Sequence, residues 1–163
     1  MTGPIKHFYA CLLLLAMLCV GFSAGAADRV QGISERVFKA LGEAQERLDE
    51  EDLVGARQLL EDALQRKSTA YEQAQMLNML GYTWYEANDL DRAREAYQRA
   101  LNLPDLPNSM LVTLNLTLGQ VYLVDEQYAQ AESHLRTLLT FEDQDTANHR
   151  VLLATALLGQ ERY

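Results

Sequence analysis

Cysteine is nearly absent from this sequence, and its two thiols, Cys11 and Cys19, both lie close to the N-terminus. No disulfide framework can therefore staple the rest of the chain, which must hold together by packing. Proline occurs three times and glycine nine times in 163 residues, too few for a collagenous, low-complexity or linker-rich architecture. Positive charge is also scarce, with 14 Lys and Arg against 23 Asp and Glu for a net charge of -9. A surface this acidic repels phosphate backbones and anionic headgroups, which argues against a nucleic-acid partner. The letters G-x-S-x-G occur only at Gly21-Phe22-Ser23-Ala24-Gly25, inside the N-terminal segment, and a phosphate-cradling glycine loop and a G-x-G-x-x-G turn are missing. Beyond that segment hydrolase, nucleotide and dinucleotide chemistry have no starting point, and the chain is expected to have no catalytic residues, no cofactor and no small-molecule substrate.

The remaining candidates for chemistry are weak. Beyond the N-terminal segment the histidines are His134 and His149, with no E-x-x-H or H-x3-H spacing around them, so both read as partly exposed surface residues and no metal is expected. The acidic runs Asp49-Glu50-Glu51-Asp52 and Glu142-Asp143-Gln144-Asp145 lack the alternating ligands, glycine and distal glutamate of a calcium loop. They read as solvated turns between helices. Asn115-Leu116-Thr117 matches a glycosylation acceptor, but the triplet falls within a helical pattern and reads as structure.

What the sequence does have begins with 48% hydrophobic residues, enough for the core of one domain. The N-terminus carries the three parts of a secretory signal over residues 1–26. Lys6 and the free amino group are basic, Phe8 to Val20 is apolar and uncharged, and Ala24-Gly25-Ala26 offers small residues to a peptidase. Cleavage after Ala26 or Ala27 would deliver a periplasmic chain and remove both cysteines. It would also remove Lys6 and no acid, taking the charge to 13 minus 23, or -10. The alternative is a membrane anchor left uncleaved, since Phe8 to Ala27 is 20 uncharged residues and just long enough to span a bilayer. Lipoprotein processing is disfavoured because Cys19 follows Leu18 where a small residue is needed.

The rest of the chain repeats itself. Taking Ala74 as position 1, Leu77, Leu80, Gly81, Trp84, Ala93, Tyr97 and Ala100 fall at positions 4, 7, 8, 11, 20, 24 and 27. A frame begun at Val112 places Leu118, Gly119, Tyr122, Ala131, Leu135 and Leu138 at positions 7 to 27, and one begun at Val37 places Ala44, Ala56, Leu60 and Ala63 likewise, with Leu48 one place late. A fourth begins at Ala147, with Leu153-Ala154 and Leu157. Small residues at positions 8 and 20 let two helices approach closely, and large ones at 11 and 24 fill the space beside that contact. The periodicity predicts helices over 33–49, 52–66, 70–87, 89–103, 108–125, 127–140 and 146–160. Pro104 and Pro107 punctuate the longest connection, and Asn88-Asp89 signals a helix start.

These residues resemble the tetratricopeptide-repeat (TPR) family, whose signature combines W-x2-L-G-x2-Y with A-x3-F and a closing proline. The resemblance runs from Ile33 to Tyr163. It implies an all-α solenoid of antiparallel helix pairs, about three and a half repeats starting near 37, 74, 112 and 147, in a right-handed superhelix. The starts are 37, 38 and 35 residues apart, so the inter-repeat turns are longer than the family's compact form. The first repeat has Arg47 where an aromatic is usual, as suits a polar capping unit.

The resemblance further implies that the concave wall is built from the first helix of each repeat, at positions 2, 5, 9, 12 and 13. Here these are Gln75, Asn78, Tyr82, Tyr85 and Glu86, then Thr113, Leu116, Gln120, Leu123 and Val124. Asn78, Tyr82, Tyr85, Leu116, Gln120 and Leu123 are the partner-binding candidates, suited to a protein or peptide segment held by apolar anchors and a few hydrogen bonds. For Tyr82 and Tyr85 the competing reading is packing against a neighbouring helix. Family members that clamp a terminal carboxylate use Lys and Asn where this chain has Leu41 and Gln45, so that specialisation is not expected.

A narrower likeness runs from Ile33-Ser34-Glu35-Arg36-Val37 through Leu80-Gly81-Tyr82-Thr83 and Pro104-Asp105-Leu106-Pro107 to Leu118-Gly119-Gln120-Val121-Tyr122. This run resembles the periplasmic TPR proteins encoded beside TonB, ExbB and ExbD, which are longer solenoids. It implies an accessory interaction in energy-coupled outer-membrane transport. An assembly factor for a pilus or secretion apparatus, or a non-catalytic subunit of an envelope enzyme, would use the same repeats. Tyr163 falls at position 17 of the fourth repeat, after the nearly continuous apolar run Val151 to Leu158. Either a longer gene continues the solenoid, or the open end pairs with a second copy to bury Leu153, Leu157 and Leu158 in a homodimer.

Overall fold

The protein is described by a computed structural model, in which residues 32–141 and 143–160 are placed. The proposed leader with Lys6, Cys11, Cys19 and Ala24-Gly25-Ala26, together with Glu142 and Tyr163, lies outside the described residues. Seven helices and no strands make up the described chain: α1 (Glu35–Asp49), α2 (Leu53–Leu64), α3 (Ala70–Glu86), α4 (Leu90–Leu101), α5 (Asn108–Val124), α6 (Tyr128–Leu138) and α7 (Ala147–Gln160). Each falls where the hydrophobic period places it, with ends that shift inward by up to two residues. None of them is long and apolar enough to cross a membrane.

Local chemistry explains where the helices begin. Thr69 caps α3 in a reciprocal box, its hydroxyl accepting from the Glu72 N–H while the Glu72 carboxylate accepts from the Thr69 N–H at 2.8 Å. Asp52 and Asp89 cap α2 and α4 by accepting from the Gly55 and Arg92 N–H groups. Pro107 precedes α5, where its missing donor costs nothing. The turns that follow α1, α3 and α5 each contain a non-glycine residue in the left-handed region: Glu51 at φ 61°, Asn88 at 58° and Glu126 at 57°. Asp105 and Asp143 do the same in two of the other three connections, whereas no described glycine has positive φ. Glu50-Glu51-Asp52 and Asp143-Gln144-Asp145 fall in such turns.

Successive helices pack on one another as α1·α2, α3·α4 and α5·α6 pairs, with α7 laid against α6. Glycine sits where the helices of a pair meet. A Cβ at Gly81 would stand 2.7 Å from Cε1 and Cζ of Tyr97, and one at Gly119 would stand 2.8 Å from Cγ of Leu135. These are positions 8 and 24 of one repeat in contact. Ala56, Ala93 and Ala131, all at position 20, are wholly buried. The core is thus a line of small-against-large contacts rather than one central cluster, as a stack of repeats requires.

Polar links join one repeat to the next. The Glu72 carboxylate also accepts from the Ser34 N–H at 2.8 Å, tying the start of α1 to that of α3. Hydrogen bonds from Ser34, then from the Thr69 backbone, pull this carboxyl down from 4.5 to about 2. Arg94 reaches from α4 to Asp125 beyond α5 while holding Asp91, and Gln98 donates to the Tyr122 hydroxyl at 2.6 Å. His134 is partly exposed, as the sequence reading has it, and is held by its neighbours. It stacks on Tyr122 with ring centroids 5.5 Å apart and lies 3.1 Å from Oδ1 of buried Asn115. Burial lowers its pKa, which favours the neutral ring. Asn115 itself donates to the Leu111 carbonyl, so the glycosylation-like triplet is a packing element.

Candidate functional site

The first helices of consecutive repeats, α3 and α5, leave a cleft of about 620 Å³ between their C-terminal halves. Asn78, Tyr82 and Tyr85 form the α3 wall, while Thr117, Gln120, Leu123 and Val124 form the α5 wall. Leu152 of α7 closes one side, and Tyr97 and Val121 make a buried floor. Helical spacing explains the α3 wall, because residues 78, 82 and 85 are four and three apart and so share one face.

Five of the six sequence candidates, Asn78, Tyr82, Tyr85, Gln120 and Leu123, are therefore brought to one cleft. Leu116 is not among its lining residues. It is half-buried and packs against the core, where an aliphatic side chain gains more than it would at a wet rim. Thr117, one position further round α5, takes the lining place. Leu152 was also missed, since it belongs to the following repeat and reaches this cleft only through the stacking of α7.

Tyr82 and Tyr85 are 45% and 38% exposed, so they are not packed away like the floor residue Tyr97, which is 3% exposed. The Tyr82 hydroxyl is hydrogen-bonded to the Glu86 carboxylate, which raises its pKa above the usual phenolic value, helped by partial burial and by the nearby Glu86 and Asp49 charges. The site presents two phenols, two side-chain amides, a hydroxyl and several aliphatic groups. Such a lining can anchor apolar groups and hydrogen-bond a peptide backbone.

Two other clefts differ in chemistry. One, of about 470 Å³ between α1 and α2, is bordered by Arg36, Lys39, Glu43, Arg47, Asp62 and Arg66, with Lys39 and Arg47 engaged in ion pairs. The other lies beside Trp84, whose ring is bracketed by Arg57 at 4.2 Å and Arg92 at 4.5 Å from its centroid. That aromatic face is already occupied within the molecule. Among the described residues no group of three or more His, Cys, Asp or Glu could hold a metal.

Comparison with known proteins agrees with the all-helical fold. Residues 41–109 match a family model described as "Tetratricopeptide repeat". A solved structure titled "MamA RS-1 ArsTM double mutant" is similar with a TM-score of 0.65 at 20% identity, over 80% of this chain and 69% of that one. At that identity the likeness concerns the fold. No curated protein matches the sequence.

Proposed function

From the tetratricopeptide-repeat match over residues 41–109, an interaction-scaffold fold, we propose that this chain holds a segment of a partner protein in the cleft between α3 and α5 and performs no chemistry of its own. The observation that carries the reading is the pair of half-exposed tyrosines, Tyr82 and Tyr85, facing Gln120 and Leu123 across an open groove. Large aromatic side chains left accessible beside amides are what a bound segment uses as anchors.

The finer part of the proposal is that the protein works in the periplasm as an accessory to a TonB-type transport system. The secretory pattern of residues 1–26 and the likeness of the Ile33 to Tyr122 run to TonB-associated repeat proteins support it. An assembly role in another envelope machine is the alternative, served by the same groove.

A photo-crosslinking amino acid placed at Tyr85, with a control at exposed Gln130 on α6, tests both parts in intact cells. The expected result is a discrete adduct from position 85 alone, containing a component of the TonB system. An adduct containing a pilus or secretion component would move the assignment to the alternative. Equal labelling from both positions would overturn the groove.

A further inference from the structure

The groove is distinguished by the charge it lacks. Neither α3 nor α5 contains a single Lys, Arg or His over residues 70–86 and 108–124. The described cations sit elsewhere: on α1, on the second helices of the repeats, in the turn after α2, and at Arg150 near the start of α7, where it is paired with Asp145.

Negative potential converges on the same place. Tyr82, Tyr85, Leu123 and Val124 lie in the last turns of α3 and α5, so two helix C-termini direct the negative ends of their dipoles at one mouth. Glu86, the exposed last residue of α3, holds the Tyr82 hydroxyl, and Asp49 at the end of α1 is close enough to act on that phenol electrostatically. The half-exposed tyrosine rings also offer faces to a cation.

Resting on the groove reading above, we propose that the occupant is a polypeptide segment in which a large aliphatic side chain stands next to a lysine or arginine. The aliphatic group fills the space between Tyr85 and Leu123, over the floor made by Tyr97 and Val121. The cation lies at the mouth, against the Tyr82 ring and within reach of Glu86 and Asp49. An acidic segment is rejected there because no group in either wall compensates its charge and the helix ends repel it.

Three fluorescein-labelled synthetic peptides of one length test this on residues 27–163. All carry the same leucines at alternate positions, and the residues between are Lys, Gln or Glu. Anisotropy at low salt should rank them Lys over Gln over Glu, with the Lys peptide about tenfold tighter than the Gln peptide, the sum of a cation–π contact and a helix-terminus interaction. Glu86→Gln combined with Asp49→Asn should narrow that ratio to about threefold or less, while Tyr82→Ala with Tyr85→Ala should weaken all three peptides. Equal binding of the Glu peptide overturns the proposal. So does a Lys preference untouched by Glu86→Gln and Asp49→Asn, which would trace to overall net charge. If no peptide binds while the crosslink from position 85 persists, the groove stands and the charge rule falls. If the crosslink is lost as well, both fall.

Discussion

Gly81 carries the tightest test of the repeat frame, because replacing it by alanine sets two effects of known sign against each other. Alanine in a helix interior is favoured over glycine by about 0.8–1 kcal/mol. Against that, the new methyl would stand 2.7 Å from two ring carbons of Tyr97 and 2.9 Å from a third. The ring is rigid and 3% exposed, so it cannot swing aside without displacing the helix that bears it. Overpacking of this kind costs about 1–3 kcal/mol, which leaves Gly81→Ala destabilised by up to about 2 kcal/mol. Gly42 supplies the control. It lies mid-helix in α1 and a Cβ there meets nothing within 4 Å, so Gly42→Ala should stabilise by about 0.5–1 kcal/mol. Urea unfolding followed by far-ultraviolet circular dichroism measures both variants on one scale, and the expected result is a gap of about 1–3 kcal/mol with opposite or near-opposite signs. If both substitutions stabilise equally, the α3·α4 contact is looser than described and the positions 8 and 24 do not meet.

Other expectations follow from the same geometry. Tyr82→Ala with Tyr85→Ala should weaken partner binding by about 1–3 kcal/mol in calorimetry while leaving the unfolding midpoint nearly unchanged; an unfolded double variant would show that the rings belong to the core. Glu72 has a folded pKa depressed from 4.5 to about 2, so its contribution is present above about pH 4.5 and is lost as pH falls toward 2. Unfolding titrations should show about 1–2 kcal/mol of stability disappearing across that window, and Glu72→Gln should flatten that part of the profile. N-terminal sequencing of the exported protein should find Ala27 or Asp28 first; recovery of an intact chain beginning at Met1 in the membrane fraction would favour the anchor.

Much of the fold was legible because the punctuation is local. Asp89 and Pro107 mark helix starts through a side-chain hydrogen bond and the lack of a donor, and the Gly81 and Gly119 contacts recur at a fixed spacing. The walls of the groove were legible for α3, where Asn78, Tyr82 and Tyr85 share one face of an isolated pattern. They were less so for α5, which is apolar on nearly every side, so that the sequence offers no contrast to show whether Leu116 or Thr117 faces outward. Leu152 could not be found locally at all, because its place depends on how a third repeat stacks. The partners of His134 were hidden for a related reason: Tyr122 and Asn115 lie on another helix, and no spacing rule links them.

The distribution of glycine has a consequence for how readily the molecule could be hardened. The residue that adopts a left-handed turn without penalty is spent between helices, while Glu51 and Glu126 make the turns after α1 and α5 at positive φ. Each of these glutamates bears a Cβ penalty of about 1–2 kcal/mol and places negative charge beside a helix C-terminus, where it is unwelcome. A more durable variant is thus within reach by Glu→Gly at two surface positions, with no change to the core. Those acids sit at the same ends of the helices as the mouth of the groove. Removing them would trade the field that greets an approaching partner for resistance to unfolding, so tolerance of heat and speed of capture cannot both be raised by editing these turns.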